Sequence, residues 1–339
     1  MSPRRQLVLP LVCLGIVHLA VLLAGFIAPY NYAEQDRNLP FAPPSRIHFF
    51  DIQGKFHFRP FVYERTEEED QFRVYQELTA RQFPLQFFSR GSDSKFAGTV
   101  ATNLHLFGVK LPARISLMGT DSYGRDVFSR LVYGGRISLL AGLLATALSL
   151  LGGTTLGALS GFYGGWLDAV IMRLAELFLA LPWLYLLFAV RAFLPLHITP
   201  ADAFLMIIAV IGFVGWAKPA RLVRGVVLSA RERGYVVAGR GFGASDFYLL
   251  QRHIFPQVSS VILAQAALLI PQYILAEVTL SFLGLGVGEP VPSWGSILGS
   301  LQQYHVLVSC WWMFFPGVVL IPVFFSYSQL SQALQERFV

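Results

Sequence analysis

Residues 218–256 read KPARLVRGVVLSARERGYVVAGRGFGASDFYLLQRHIFP, and this stretch is the most informative part of the sequence. The stretch is basic, contains several glycines and lies between two long apolar runs. Its seven Lys and Arg residues outnumber two acidic ones, so it contributes +5 to a formal net charge of +6. A basic patch beside anionic lipid head groups is typical of a membrane topology signal. That interpretation explains the charge but not the glycines.

The composition predicts a polytopic membrane protein. Of the 339 residues, 55% are hydrophobic and 14% are charged, and the mean hydropathy is +0.55, which is far from ordinary soluble usage. A helix needs about 20 apolar residues to cross the bilayer core. Six stretches qualify as transmembrane helices: 7–28, 137–160, 170–194, 203–222, 258–285 and 311–331. The predicted fold class is therefore an all-α polytopic membrane protein with six transmembrane helices and an extracytoplasmic insert after the first.

The first apolar stretch has a secretory signal as its alternative interpretation, because Arg4 and Arg5 precede it. Its apolar core outlasts the 7–15 residues typical of such signals, so we predict a retained anchor. Lys and Arg near span ends favour the cytoplasm. This bias predicts that the N-terminus, residues 218–252 and, after six crossings, the C-terminus lie on the cytoplasmic side of the membrane.

The predicted organisation has three parts. Residues 1–28 form a cytoplasmic tail and the first helix, residues 29–135 an extracytoplasmic subdomain with an interfacial helix, and residues 136–339 a five-helix core with a cytoplasmic loop at about 231–256. In the second part, Asp126 and Arg130 are spaced i, i+4 and predict an ion pair that steadies the interfacial helix.

The extracytoplasmic insert differs in composition from the helices. It carries most of the acidic residues and many Phe and Tyr, without a long apolar run. Disordered segments contain few aromatic residues, so we predict a small ordered subdomain of short strands or packed loops. We favour a structural cap over the outer mouth, with docking of an external partner as the alternative.

Motifs for chemistry are absent from the sequence. It contains no G-x-x-x-x-G-K-[ST] phosphate loop, no H-E-x-x-H and no G-x-S-x-G, and no His, Cys and carboxylate cluster with metal-ligand spacing. We therefore expect no catalytic residue, no metal site and no cofactor bound by this chain. Cys13 and Cys310 are far apart and are expected to be small buried hydrophobes rather than disulfide partners.

The middle of the loop predicts a turn between two helices. Gly241 and Gly243 end the first helix, because glycine adopts turn conformations without strain. Ser245 is a suitable N-cap for the second helix, and Asp246 is an acid in its first turn. The loop is therefore expected to be an ordered structure rather than a plain connection.

The second helix is expected at about 244–255. Phe247, Leu250 and Ile254 follow one another at i, i+3 and i+7, which predicts a single apolar stripe, and Pro256 is expected to limit the helix. So short a helix is marginal alone in water. Its stripe must therefore pack against its own chain or against a partner, and we favour a partner groove.

Three stretches of the chain resemble one family. Residues 243–256, GASDFYLLQRHIFP, look like the EAA loop of binding-protein-dependent ABC importer permeases, in the peptide and nickel branch. Residues 118–142, MGTDSYGRDVFSRLVYGGRISLLAG, and residues 280–298, LSFLGLGVGEPVPSWGSIL, are similar to the same branch. The resemblance covers about 118–339, together with an N-terminal anchor like that of the C-type subunit. Two departures are Val237, where the family usually has glutamate, and Gly239, where it has alanine.

The resemblance implies a type I importer permease core that performs no reaction. The loop helix would sit in a cleft of an ATPase subunit and pass its movement to the spans. The implied partners are a second, homologous permease, two ATP-binding subunits that hold the ATP, an extracytoplasmic solute-binding protein and the lipid bilayer, with no nucleic acid. Peptides are the commonest implied cargo, and nickel and other small solutes are lesser options. The residues implied to couple to the ATPase are Ala238, Gly239, Gly243, Ala244, Ser245, Asp246, Phe247, Leu250, Arg252, His253, Ile254 and Pro256.

Glu277 is the one carboxylate that falls deep inside an apolar run. A charge there is costly, so it is expected to line the transport pathway or to make an interhelical hydrogen bond. The competing function is a secondary transporter or channel that acts without an ATPase. That function predicts inverted repeats and several buried charges, and the sequence shows no repeat and one such charge.

Overall fold

The computed structural model describes residues 3–68, 71–96, 100–192 and 199–338. The chain forms two compact units. One consists of Met1–Leu14, Leu140–Leu280 and Val323–Val339, and is helical in its described residues; the other consists of Gly15–Leu139 and Ser281–Pro322, and contains the β-strands.

Helices make up most of the described chain. Their bounds are α1 (Pro3–Leu22), α2 (Ala24–Ile27), α3 (Val127–Tyr163), α4 (Gly165–Ala180), α5 (Trp183–Ala192), α6 (Pro200–Gly215), α7 (Ala217–Arg231), α8 (Gly234–Gly241), α9 (Asp246–Leu249), α10 (Phe255–Phe282), α11 (Trp294–Gly299), α12 (Tyr304–Ser309) and α13 (Phe315–Phe338). A π-helical turn at Leu250–Ile254 joins α9 to α10, and 3₁₀ turns occupy Ser300–Gln302 and Trp311–Phe314.

The helices confirm a polytopic membrane protein. By length and composition, three described helices can cross a bilayer: Val127–Tyr163, Asp246–Phe282 and Trp311–Glu336. Two bent helix pairs raise that number to five if each pair is one span. The described apolar part of the first predicted span, Leu7–Leu22, is shorter than these. The predicted count of six therefore stays a prediction.

The predicted span 170–194 is not one straight helix. Gly165–Ala180 and Trp183–Ala189 meet at 95°, and residues 193–194 lie outside the described chain. The break falls at Leu181, whose backbone is extended (φ −84°, ψ 137°). Pro182 follows it, and the residue before a proline is disfavoured in the α conformation.

The predicted span 203–222 is bent as well, by 43° between α6 and α7. Pro219 lies in the first turn of α7. A proline lacks the N–H that would bond to the residue four positions earlier, and its ring crowds that carbonyl. Four positions before Pro219 is Gly215, the last residue of α6, which accounts for the place of the bend.

No separate interfacial helix precedes the second span in the described chain, because α3 runs unbroken for 37 residues, about 55 Å at 1.5 Å per residue. Asp126 caps it, accepting hydrogen bonds from the Ser129 backbone N–H (2.7 Å) and hydroxyl (2.6 Å). The predicted ion pair between Asp126 and Arg130 is therefore wrong. Arg130 instead donates to Glu289 (3.1 Å) and lies 3.4 Å from Asp121.

The insert contains two antiparallel sheets, so the all-α prediction is wrong for this segment. The strands are β1 (His48–Phe50), β2 (Phe56–Glu68), β3 (Gln71–Pro84), β4 (Gln86–Phe96) and β5 (Val100–Gly108). One sheet has the order β1-β2-β3 and the other pairs β4 with β5. The described strands agree with an ordered segment, although β2 and β3 are longer than the short strands expected, and its place as an extracytoplasmic subdomain stays a prediction.

The core of the insert explains why these residues form strands. Val62, Phe83, Leu85, Phe107 and Ile115 are all buried in one cluster. β-branched and aromatic side chains pack well on a pleated surface that is buried on one face. The composition of the whole chain hid this pattern, because the apolar helices dominate the average.

Candidate functional site

The loop at 231–256 is backed by a close contact between α3 and α7 within the helical unit. Gly153, Gly157 and Gly161 form a small-residue row on α3 that faces the backbone of α7. A Cβ atom added at Gly153 would lie 2.7 Å from the carbonyl oxygen of Trp216, and one at Gly161 would lie 2.9 Å from that of Arg224. Glycine is needed here because any side chain would meet backbone. The row therefore packs within this chain.

Two arginines of α7 make charge-assisted hydrogen bonds to its neighbouring helices α3 and α4. Arg224 of α7 donates to both carboxylate oxygens of Asp168 in α4, at 2.5 and 2.6 Å. Arg231, the last residue of α7, donates to the backbone carbonyl of Gly161 at 3.1 Å. Charge-assisted hydrogen bonds of this kind are the stronger ones in proteins. The base of the loop is thus held to α3 and α4.

The turn between α8 and α9 is a Schellman motif. The N–H of Ala244 donates to the carbonyl of Gly239 (3.0 Å), and the N–H of Gly243 donates to that of Arg240 (3.0 Å). Gly243 has φ +83°, the left-handed conformation that this motif requires and that glycine adopts without strain. The prediction that Gly241 and Gly243 end the first helix is confirmed at Gly241.

The second helix begins as predicted and continues past its predicted end. Ser245 is the N-cap, and its hydroxyl accepts from the N–H of Tyr248 (3.3 Å). The prediction that Pro256 limits this helix is wrong, because α9, the π turn and α10 form one continuous helix, Asp246–Phe282. A π turn relaxes the α hydrogen-bond pattern just where a proline disturbs it.

The three residues of the predicted apolar stripe differ in how deeply they are buried. Ile254 is buried in the core of its own unit, Leu250 is half-buried, and Phe247 is 74% exposed. The inward side chain that sequence reasoning missed is Leu249, which is fully buried against the same core as Ile254. These two positions are five apart, which is the hydrogen-bond spacing of a π turn rather than an α-helix. Pro256, inside a continuing apolar helix, was the available signal.

Gly239 has a packing role. A Cβ atom there would lie 3.0 Å from a methyl carbon of Leu249, so an alanine would require Leu249 to shift. This contact gives the departure from the family pattern at Gly239 a physical reason. It also joins α8 to α9.

The outward face of the loop carries apolar side chains. Phe242 is 92% exposed and Val237 is 57% exposed, in addition to Phe247. Sequence reasoning missed Phe242, although its place between Gly241 and Gly243 marks it as the tip of the turn. We call Val237, Phe242 and Phe247 the outer apolar residues. Val237 stands where the family usually has glutamate, so this chain has a hydrophobic contact available where an ionic one is expected.

A cavity of about 400 Å³ lies beside these residues in the helical unit. It is bordered by Phe247 and Leu250 from the loop, by Phe255 at the start of α10, and by Thr154 and Ala158 from α3. Its lining is almost wholly apolar. An apolar side chain from a partner would bury hydrophobic surface there.

His253 and Arg240 contact aromatic rings. The His253 ring centroid lies 5.6 Å from that of Tyr235 and 5.7 Å from that of Tyr248. Arg240 stacks over Phe162 of α3, 5.2 Å from the ring centroid, a cation–π geometry. The remaining predicted coupling residues that are exposed are Ala238, Ser245, Asp246, Arg252 and Pro256, while Ala244 is half-buried against the core.

Glu277 is fully buried in α10. In this conformation the side chain belongs to the packed interior rather than to an open channel wall. Among the residues that the structure describes, no group of three His, Cys, Asp or Glu side chains is placed to hold a metal ion.

The sequence of this chain is similar to those of known transport proteins. Residues 153–339 match the family model of the binding-protein-dependent transport system inner membrane component. The chain belongs to this family. The permease is 37% identical over 239 residues to the oligopeptide transport system permease protein OppC of Bacillus subtilis, which is 69% of this chain and 74% of that protein.

Two further relatives are equally informative. The permease is 34% identical over 226 residues to the dipeptide transport system permease protein DppC of Bacillus subtilis, covering 66% of this chain and 68% of that one. It is 34% identical over 225 residues to the glutathione transport system permease protein GsiD of Pectobacterium atrosepticum, covering 66% and 72%.

Family membership fixes the general role. The chain is a multi-pass permease subunit of an ABC importer in the inner membrane, and it works with ATPase and solute-binding partners. ATP hydrolysis belongs to separate subunits. Family membership therefore contradicts the alternative function, a secondary transporter or channel that acts without an ATPase. The strands of the insert lie outside the matched residues 153–339.

Proposed function

We propose that this permease imports peptides and is driven through the loop at 231–256, which docks on an ATPase subunit. The observation that carries the proposal is continuity: the exposed Phe247 stands on the same unbroken helix, Asp246–Phe282, that is long and apolar enough to cross the membrane. A force applied to Phe247 would reach the membrane without passing through a flexible link.

The buried side of the loop supports the same function. Leu249 and Ile254 fasten the helix to the core formed by α3, α7 and α8, while the outer apolar residues stay open. Interfaces gain most of their binding energy from a few well-packed aromatic and apolar anchors. Phe242 and Phe247 are such anchors on a rigid base, and the adjoining cavity offers space for a partner side chain.

The topology that fits this function has six crossings. If α1 and both bent pairs each cross once, they and the three long helices make six. Both termini and the loop at 231–256 would then lie in the cytoplasm, which agrees with the bias of Lys and Arg toward that side. The insert would lie outside.

The assembly would contain this permease, a second homologous permease, two ATP-binding subunits and an extracytoplasmic solute-binding protein. No cofactor is assigned to this chain, and the ATP would be held by the ATP-binding subunits. Peptides are the proposed cargo because relatives at 34–37% identity are named for dipeptide, oligopeptide and glutathione transport. Glu277, which is fully buried, would serve helix packing in the conformation described here.

The test places a charge on the docking surface. In the complete importer, reconstituted in proteoliposomes with its binding protein, Phe247→Glu is expected to lower peptide uptake about tenfold or more, because a charge opposes burial of a contact anchor. ATP hydrolysis is expected to continue, uncoupled from uptake. Phe247 is largely exposed, so the folding of the permease should be unaffected.

Val237→Glu is the matched control. It adds the same charge to the same loop at an exposed position, but restores the residue usual in the family. We expect assembly and uptake to be close to those of the unmodified permease. Normal uptake by Phe247→Glu would refute the docking role, and loss of assembly in Val237→Glu would show that this loop is built differently from those of its family.

A further inference from the structure

The turn between β1 and β2 exposes a cluster of large apolar side chains. Phe58 is 95% exposed, and its neighbours in the cluster are largely exposed as well. We call the following residues the aromatic tip: Phe49, Phe50, Ile52, Phe56 and Phe58. The Phe56 ring lies 5.3 Å from that of Phe50 and 5.5 Å from that of Phe58, so the rings contact one another. Exposed apolar clusters of this kind mark interaction sites.

The aromatic tip is held in a defined shape. Asp51 accepts hydrogen bonds from the backbone N–H groups of Gln53 (3.0 Å) and Lys55 (2.9 Å) and lies 2.9 Å from the His57 ring nitrogen. Gly54 has φ +80°, which closes the turn without strain. The rings are therefore presented by an ordered turn, and little conformational freedom would be lost on contact.

The strand register shows which end of the hairpin carries the tip. Phe61 pairs with Pro84, and the N–H of Leu85 donates to the carbonyl of Pro60 at 2.8 Å. Phe58 lies two residues before Pro60, and Phe87 lies two residues after Leu85. Because neighbouring antiparallel segments run in opposite directions, both residues lie on the same side of that hydrogen bond. The tip therefore extends from the end of the sheet near β4.

That end lies near the end of α1, the first predicted transmembrane helix. Phe87 and Phe88 are exposed, and the Phe88 ring lies 6.1 Å from the Phe26 ring. Phe26 belongs to α2, which follows the apolar stretch Leu7–Leu22 directly. The outward side chains of that stretch are apolar and exposed, as expected for a surface that faces lipid. The Phe26–Phe88 contact therefore brings aromatic residues of the insert close to the segment that follows this stretch.

The charges around the aromatic tip complement a membrane surface. Arg46, Lys55 and Arg59 are exposed, and Asp51 is the only acid between 46 and 59. Residues 64–70, which begin farther along β2, contain five acids and one arginine. Basic side chains beside aromatic ones are typical of protein segments that lie in the membrane interface.

We infer that the aromatic tip dips into the interfacial layer of the bilayer that the permease itself crosses, with Lys55 and Arg59 at the lipid phosphates. The insert is then fastened to the membrane at two places, through α1 and through the tip. This fixes the height and tilt of the insert relative to the bilayer surface, and it gives the insert a lipid contact in addition to any role as a cap. The inference does not depend on the proposed docking loop.

Spin labels can test the contact in the assembled importer. The background carries Cys13→Ala and Cys310→Ala, and a nitroxide is attached at Phe58→Cys or, as the matched control, at Thr66→Cys. Thr66 is exposed on the same strand, eight residues and about 27 Å away. The complex is placed in nanodiscs of phosphatidylethanolamine and phosphatidylglycerol, and collision of each label with oxygen and with a water-soluble nickel chelate is measured.

Oxygen concentrates among acyl chains and the chelate stays in water, so the oxygen-to-nickel collision ratio is expected to be at least about threefold higher at residue 58 than at residue 66. Equal, water-like ratios at both sites would overturn the inference. Protection of residue 58 from both reagents would overturn it too, because it would mean that a protein partner covers the tip. Uptake by the labelled complex shows that the importer is intact.

Discussion

The loop at 231–256 and the aromatic tip of the insert both expose aromatic side chains, but their backbones hold these side chains differently. Phe247 stands on a helix that continues without a break into α10. Phe58 stands on β2, whose hydrogen-bonded neighbours β1 and β3 are strands of the same insert. A force on the first side chain can reach a membrane span, whereas a force on the second is absorbed by a sheet. The same residue type is therefore suited to transmitting movement in one region and to fixing position in the other.

The two regions also differ in what makes them rigid. The loop depends on helices that approach at backbone distance along the glycine row of α3. The insert depends on large buried side chains such as Val62, Phe83 and Phe107. Small changes in volume are therefore expected to harm the loop more than the insert, since backbone atoms cannot move aside as side chains can.

The largest predicted effect tests that rigidity. In Gly157→Ala the added methyl group would meet the carbonyl oxygen of Ala220 and lie 3.0 Å from Cβ of Val223. We expect the permease to lose about 1–3 kcal/mol of stability, and the loop to become more sensitive to trypsin while the insert does not. Thermal unfolding in detergent and limited proteolysis measure the two effects.

Gly152→Ala is the control for this substitution. It lies on the same helix, and the nearest atom to the added methyl group would be 3.8 Å away, which is an ordinary contact. Helix propensity alone favours alanine by up to about 1 kcal/mol, so this variant should be as stable as the unmodified permease or more stable. Equal destabilisation by the two substitutions would show that the row does not hold the loop.

The second prediction concerns the unit that contains the insert. Burial raises the pKa of Asp126 to about 6, against an ordinary value of about 3.9. The folded protein then binds a proton more tightly than the unfolded chain, so this group makes the protein less stable as the pH rises from about 4 to about 6. Above that range the loss is constant, and it amounts to about 3 kcal/mol.

Asp126→Asn should remove this pH dependence. An asparagine can still accept the hydrogen bond from the Ser129 N–H and cap α3, but it carries no charge. The variant is expected to unfold at a higher temperature than the unmodified permease above pH 6, and at the same temperature near pH 4. A temperature difference that does not vary with pH would contradict the assignment.

The sequence predicted the loop well because its signals are local. Ser245 as N-cap and Gly243 at the turn depend on a few neighbouring residues, and both were found as expected. The burial of Leu249 was missed because it depends on the π turn, which the α periodicity of the stripe conceals. The bends at Leu181 and Gly215 were missed because hydropathy is averaged over a whole span. Such an average does not register Pro182 and Pro219, which disturb the helix locally.

The insert was predicted only as an ordered segment. Its strands pair across turns, and its core joins side chains as distant as Val62 and Ile115. No short motif records such pairings, since they depend on residues far apart in the chain. The same holds for Arg130, which contacts Glu289 rather than its helical neighbour Asp126.

The smallest predicted effect concerns the turn of the loop. Gly243→Ala would force a Cβ atom into the left-handed conformation at φ +83°, which costs about 1 kcal/mol. Gly241→Ala adds the same atom two residues earlier, where nothing lies within 4 Å, and should be neutral or slightly stabilising. Hydrogen exchange at the amides of residues 243 and 244, which donate the two Schellman bonds, should quicken about fivefold in the first variant only, as a loss of about 1 kcal/mol implies.

If the loop transmits force from Phe247 to α10, this modest loosening should also lower uptake per ATP hydrolysed, because Phe247 follows the turn by only four residues. Faster exchange without any loss of coupling would mean that the turn positions the helix but does not carry the force, and that rigidity in the loop serves folding rather than movement.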